Sequence, residues 1–242
     1  MTTAALNYDY IGSQPIGNFF IPDTTQRHVL GTKLSAIDPY WGGQDILYCS
    51  FPASTALSVG TVVVWDAAYS ATGVPNTAVQ GFSVGLVLNA IPSVAAVQYG
   101  WVVVSGRFVG WSGASVAAAA QIGITAAGKL GAVSAGKMLL NTKVETAATT
   151  TVVKANTRTQ SGSPIIQVSN ADGWFVGLPI TGTGIAASST ITAIDPNNST
   201  VTLNNNATAT GSVSATGTYN DAGTNFWNVL YVNAPTCQSQ IT

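Results

Sequence analysis

The chain has 242 residues, of which 7% are charged and 46% hydrophobic, with eight Lys or Arg against nine Asp or Glu. That length suits one large all-β domain or two small ones, and a net charge of −1 excludes the basic footprint of a binder of nucleic acid or anionic membrane. An average domain is about 25% charged, so a surface this poor in charge fits a protein covered by partners in an assembly better than a freely diffusing enzyme.

Residues 1–27 read as an extended arm. Gly12, Pro15, Gly17 and Pro22 recur too often for a long regular element. Between them lie Tyr8, Tyr10, Phe19, Phe20 and Ile21. Disordered tails are poor in aromatics, so these five are the candidate interface contacts with a neighbouring subunit, the other reading being that they lie on the chain's own body. No basic stretch followed by an apolar core opens the sequence, so a secretory signal is not expected. No window reaches the roughly 18 apolar residues of a membrane-spanning helix.

From His28 the pattern turns to strands. Residues 29–37, the turn Asp38-Pro-Tyr-Trp-Gly-Gly43 and the run Asp45-Ile-Leu-Tyr-Cys-Ser-Phe51 predict a strand pair, because Pro fixes one φ and Gly supplies a positive one. Gly60-Thr-Val-Val-Val-Trp-Asp66, Gly81-Phe-Ser-Val-Gly-Leu-Val-Leu88 and Tyr99-Gly-Trp-Val-Val-Val-Ser-Gly106 are short β-branched runs between turn residues and read as strands of one small β-barrel. Residues 67–80 read as a surface loop. Residues 122–133 predict a hairpin around Ala126 to Gly128, residues 138–145 and 149–153 further strands, and the alanines at 117–120 at most a short helix.

Near Asn156 the composition shifts. Residues 157–164 read as a Ser/Thr/Gly/Pro linker and residues 204–220 as a second one. Between them a self-contained β module is expected, with a core of Ile166, Val168, Trp174, Val176, Ile180, Ile185, Ile191, Ile194, Val201 and Leu203. The run Asn225-Phe-Trp-Asn-Val-Leu-Tyr-Val-Asn233 is a strand that cannot stand alone and must complete a sheet elsewhere. The expected fold is all-β: a small β-barrel or β-sandwich domain of residues 28–161 plus 218–236, an inserted or appended small β module of residues 162–217 forming a protrusion, and the extended N-terminal arm.

Little points to chemistry. His28, the one histidine, reads as a hydrogen-bonding surface residue at the start of a strand, with no second ligand beside it. Asp38, Asp45, Asp66, Asp172, Asp195 and Asp221 fall at turns or strand ends, where a short carboxylate caps backbone amides. Glu145 is the one glutamate, and no carboxylate pair with the setting of a glycosidase is recognisable. Lys129, Lys137, Lys143 and Lys154 read as solvated strand ends. Trp65, Trp101, Trp111, Trp174 and Trp227 read as core or interface packing rather than a sugar platform. Cys49 reads as a small buried hydrophobe and Cys237 as free in a polar tail, a usage that suits a reducing cytoplasm. No catalytic residue, cofactor or metal ligand is assigned.

The succession Leu30-Gly-Thr, Asp38-Pro, Gly43, Ile46-Leu-Tyr48, Val59-Gly-Thr-Val62, Gln98-Tyr-Gly-Trp101 with Gly106, and Ala127-Gly-Lys-Leu resembles a group of tailed-bacteriophage virion proteins that accompany the major capsid protein. Residues 163–210 are similar to a small β module that recurs in phage head and tail proteins, through Gly177-Leu-Pro-Ile-Thr-Gly-Thr-Gly-Ile185 and Thr190-Ile-Thr-Ala-Ile-Asp195. The resemblance implies a capsid decoration, or cement, protein on the exterior of the virion, assembled in the host cytoplasm. It would bind the major capsid protein, most commonly as a homotrimer, without nucleic acid or membrane, and with at most a weak host-surface contact through residues 162–217. A tail or head-fibre adhesin for host glycans is the alternative, and an enzyme acting on the cell envelope a third.

Overall fold

The computed structural model describes residues 5–6, 21–78, 81–148, 150–221 and 224–238, and every regular element among them is a β-strand. The alanines at 117–120 form a turn in which Ala120 N–H donates to Ala117 O, and Ala119 instead donates across to Val144 O. Flanking glycines leave that segment too short to nucleate a helix.

Strands β1 (Ala5–Leu6), β2 (Lys33–Asp38), β3 (Gly42–Phe51), β4 (Val62–Trp65), β5 (Ala71–Gly73), β6 (Val84–Val87) and β7 (Gln98–Ser112) lie in the spatial order β1-β2-β3-β7-β6-β4-β5. The carboxylate of Asp38 makes the β2–β3 turn by accepting the N–H groups of Tyr40 and Trp41, each at 2.8 Å. The sheet then curls until β5 meets β3 again through a bridge between Ser50 and Ser70. Five strands thereby enclose a core of their own that includes Leu47, Cys49, Phe51, Val63, Val87 and Val102. The other faces of these strands, with Ile46, Tyr48, Trp101 and Val103, join a larger core. Burial on both faces is why the runs are apolar at nearly every position rather than at alternate ones. The expected barrel is thus a curled sheet whose last join is a single bridge.

Gly106 lets β7 serve two partners. Its φ of +107° is barred to most side chains, and a Cβ there would run into the carbonyl of Gly43. Around it the strand bends: residues 98–106 pair with β3, whereas residues 105–112 pair with the final strand. The sheet continues through β8 (Gly123–Ala126) and β9 (Lys129–Gly131), the expected hairpin, and through β10 (Leu139–Thr146).

The fully closed barrel is the second unit. Strands β11 (Thr151–Thr159), β12 (Ile165–Gln167), β13 (Pro179–Gly182), β14 (Ser189–Asp195), β15 (Thr200–Leu203) and β16 (Gly211–Thr218) close in the order β11-β12-β15-β14-β13-β16. Thr151 pairs with Thr218, so the chain enters and leaves this barrel side by side. It then runs into β17 (Phe226–Cys237), which lies between β7 and β10 in the first sheet. The barrel takes in residues 151–161 as well as 162–217, because the strand read at 149–153 runs on to Thr159, into the first stretch read as a linker, and the second such stretch contains β16. Threonines hid the inward face of that continuation. Thr157 and Thr159 point inside, and their hydroxyls donate to Lys154 O at 3.0 Å and Ala209 O at 2.8 Å, so burial leaves neither group unpaired.

Of the ten core residues read for this module, eight are buried, and Val176 and Ile194 pack partly buried against them. Each fully buried large side chain contributes roughly 1.5–3 kcal/mol. The two units meet through aromatics. Trp41 lies 6.2 Å from Tyr219, and Phe175 lies 5.2 Å from Trp227. Tyr219 Oη donates to Gly173 O at 3.1 Å, and Trp227 Nε1 donates to Val59 O at 3.3 Å.

Candidate functional site

Of the five arm residues singled out, Tyr8, Tyr10, Phe19 and Phe20 lie outside the described residues, and Ile21 is 43% exposed. The chain after Ile21 is clamped to the sheet. Asp23 and Tyr99 exchange backbone hydrogen bonds of 3.1 and 2.8 Å. The Asp23 carboxylate accepts the Thr25 N–H at 2.9 Å and the Arg27 Nε–H at 2.8 Å, and these two donors hold its pKa below the usual carboxylate value. Arg27 N–H donates to Tyr48 Oη at 3.1 Å. His28 follows, half-buried ahead of β2, with its ring 5.1 Å from Tyr48 and 5.3 Å from Trp101. It is therefore a packing residue rather than a solvated one, and burial lowers its pKa. At the other end of the arm, Ala5 and Leu6 pair with Ile37 and Ala36 on the outer edge of β2.

Ile21 and Pro22 form one wall of a groove of about 400 Å3 between the curled sheet and the closed barrel. Asn89, Ala90 and Pro92, from the connection between β6 and β7, form a second wall, and Val176 with Thr192 to Ile194 of β14 a third. The lining is largely apolar, so it favours aromatic or aliphatic side chains over ions. Sequence reasoning singled out Ile21 as an arm contact and placed Val176 and Ile194 in the module core. It missed the groove, which exists only where three distant segments meet.

A second concavity of about 370 Å3 opens at one mouth of the curled sheet, with Lys33, Ser35, Asp45, Trp65, Ser105 and Asn233 among its walls. Asp45 accepts the Ser35 hydroxyl at 2.7 Å. An aromatic edge beside a carboxylate, an amide and hydroxyls can hold a neutral polar ligand. Asp45 is the one carboxylate among its described lining residues, whereas acid–base hydrolysis of a glycoside uses two.

The other singled-out residues are structural. Asp66, Asp195 and Asp221 each accept backbone amides of the turn they open. Glu145 is engaged by Arg107. Trp101, Trp174 and Trp227 are buried, Trp65 and Trp111 partly so, and Lys129 Nζ sits 4.0 Å above the Trp111 ring while bonding Asn225 at 3.0 Å. Burial pushes the Cys49 thiol up to about 12. Cys237 is no tail residue but a buried member of β17, with its thiol pushed up to about 11. Both are unreactive as thiols at neutral pH. Lys154, read as a solvated strand end, is buried in the closed barrel. Comparison with family models, curated proteins and solved structures finds no match to this chain.

Proposed function

We propose that this chain is a non-enzymatic virion structural protein that binds the outer surface of a major capsid shell and stabilises it by clamping neighbouring subunits. The observation that carries this reading is the apolar groove beside Ile21, where an arm bearing Tyr8, Tyr10, Phe19 and Phe20 joins a rigidly anchored segment. The arm is held at both ends, by Ala5 and Leu6 on β2 and by Asp23 on β7. An extended strap pays roughly 1–2 kcal/mol per ordered residue, and fixing its ends lowers that cost before any partner is met. The sparse charge of the surface and the resemblance of residues 28–210 to capsid-associated phage proteins support the same reading. Its partner is the major capsid protein, its location the capsid exterior, and its assembly state a homotrimer, with no need for cofactor, nucleic acid or membrane.

Co-sedimentation of the purified chain with undecorated, expanded capsids tests this reading. Stoichiometric binding is expected, and deletion of residues 2–22 should leave a folded protein that dissociates from shells at lower denaturant. A chain that never sediments with shells contradicts the proposal. Unchanged retention after the deletion contradicts the role of the arm.

The mouth containing Trp65 and Asp45 favours the second reading, an adhesin for host glycans. Binding on a sugar array that is lost in Trp65→Ala, without capsid binding, would establish it instead.

A further inference from the structure

The seam of the closed barrel carries a group of side chains whose chemistry the structural role does not use. β11 and β12 share one paired position, Arg158 with Gln167, whereas β11 and β16 pair at seven. Lys154 projects inward from β11 and is only 9% exposed. Its Nζ lies 2.7 Å from Oδ1 of Asn170, in the loop that follows β12, on the far side of that seam. Asn170 Oδ1 also accepts the backbone N–H of Asp172 at 3.2 Å. Burial lowers the pKa of the lysine and so favours the neutral amine, while the neighbouring Asp172 carboxylate opposes that shift. An amine and a carboxamide thus meet where little water reaches the amine, within the field of a neighbouring carboxylate.

We propose that Lys154 and Asn170 join in an intramolecular isopeptide bond, with Asp172 as the proton carrier. The neutral Nζ attacks Cγ of Asn170, forming the new C–N bond as the carbonyl electron pair moves onto Oδ1. The Asp172 backbone N–H, already directed at that oxygen, stabilises the developing negative charge. The Asp172 carboxylate accepts a proton from the attacking nitrogen and delivers it to Nδ2 of Asn170. The C=O re-forms, the Cγ–Nδ2 bond breaks, and ammonia leaves with Asp172 restored as a carboxylate. One amine and one primary amide give one secondary amide and one ammonia, with no oxidant, metal or co-reactant. The bond would tie β11 to the loop after β12 across the weakest ladder of the barrel, closing a 16-residue separation and restricting the unfolded chain.

Mass spectrometry of the purified full-length chain tests the proposal. The intact mass, after allowing for the initiator methionine, is expected to fall short of the sequence mass by one ammonia, and a proteolytic digest should contain the Lys154 and Asn170 peptides covalently joined. Lys154→Arg and Asn170→Ala should each restore the full mass, and Asp172→Ala should leave most chains unlinked. An unmodified intact mass overturns the proposal. So does an ammonia deficit that persists in Lys154→Arg with no joined peptides, since a cyclised asparagine alone would produce it.

Discussion

Asn228 shows how a single polar side chain can tie several segments together. It is fully buried in β17; its Nδ2 donates to Val116 O at 2.8 Å and Thr146 O at 3.3 Å, and its Oδ1 accepts the Ser112 hydroxyl at 2.9 Å. Leucine would fill much of the same volume but leave those groups unpaired, at roughly 1–3 kcal/mol for each buried group without a partner. Asn228→Leu should therefore lower the urea midpoint with little change in slope, the mark of lost stability without a changed fold. His28 gives a pH signature. Its folded pKa lies below the ordinary 6.5, so the unfolded chain binds the proton first, and stability falls as pH drops through 6.5 towards the folded value. The depressed Asp23 value acts only below 3.8, in a separate window. Melting temperatures between about pH 7.5 and about pH 5 should decline, and His28→Gln should flatten that decline. Neither residue was legible as such. In Phe-Trp-Asn-Val-Leu an asparagine reads as a solvent-facing position, and a lone histidine before a strand carries no sign of the two rings it packs on.

At the scale of elements, strands dominated by β-branched and aromatic residues were readable, because their burial leaves an apolar run. β16 and the second half of β11 were not, because Thr157, Thr159, Ala215 and Gly217 carry their inward faces and supply little hydrophobic contrast. The sequence marked Gly106 as a turn residue, whereas it sits within a strand and lets β7 pair first with β3 and then with β17. Gly106→Ala should cost on the order of 1–3 kcal/mol from its positive φ, plus the clash with the Gly43 carbonyl. Thermal unfolding followed by near-ultraviolet dichroism would report it. The side-by-side ends of the closed barrel, Thr151 opposite Thr218, lead to the expectation that residues 150–221 expressed alone unfold in one cooperative transition. A noncooperative melt of that fragment would show that the aromatic junction around Trp41 and Trp227 is part of its core.

The whole molecule joins an all-β body to an arm fixed at two places, and its charge is too sparse to keep a large surface solvated by ions. Strand β10 has β17 as its one strand partner among the described residues, with Ala119 and Ile122 bonding part of its other side, and exposes Leu140, while Tyr231 is exposed on β17. Exposed edges with apolar side chains favour association unless a neighbour covers them. Sedimentation equilibrium of the purified chain should therefore give the mass of a trimer, and a monomer at all concentrations would contradict that state. Fold class was legible from composition and turn spacing alone. The groove was not, since it needs the relative placement of Ile21, Pro92 and Ile194, which no local pattern encodes. A reconstruction of the intact virion without imposed assignment of its minor proteins tests the central claim most directly. Density for this chain is expected on the outer capsid face, contacting at least two neighbouring capsid subunits, with the segment preceding Ile21 at the contact. Density for the chain only at the tail, or its absence from the shell, would contradict it.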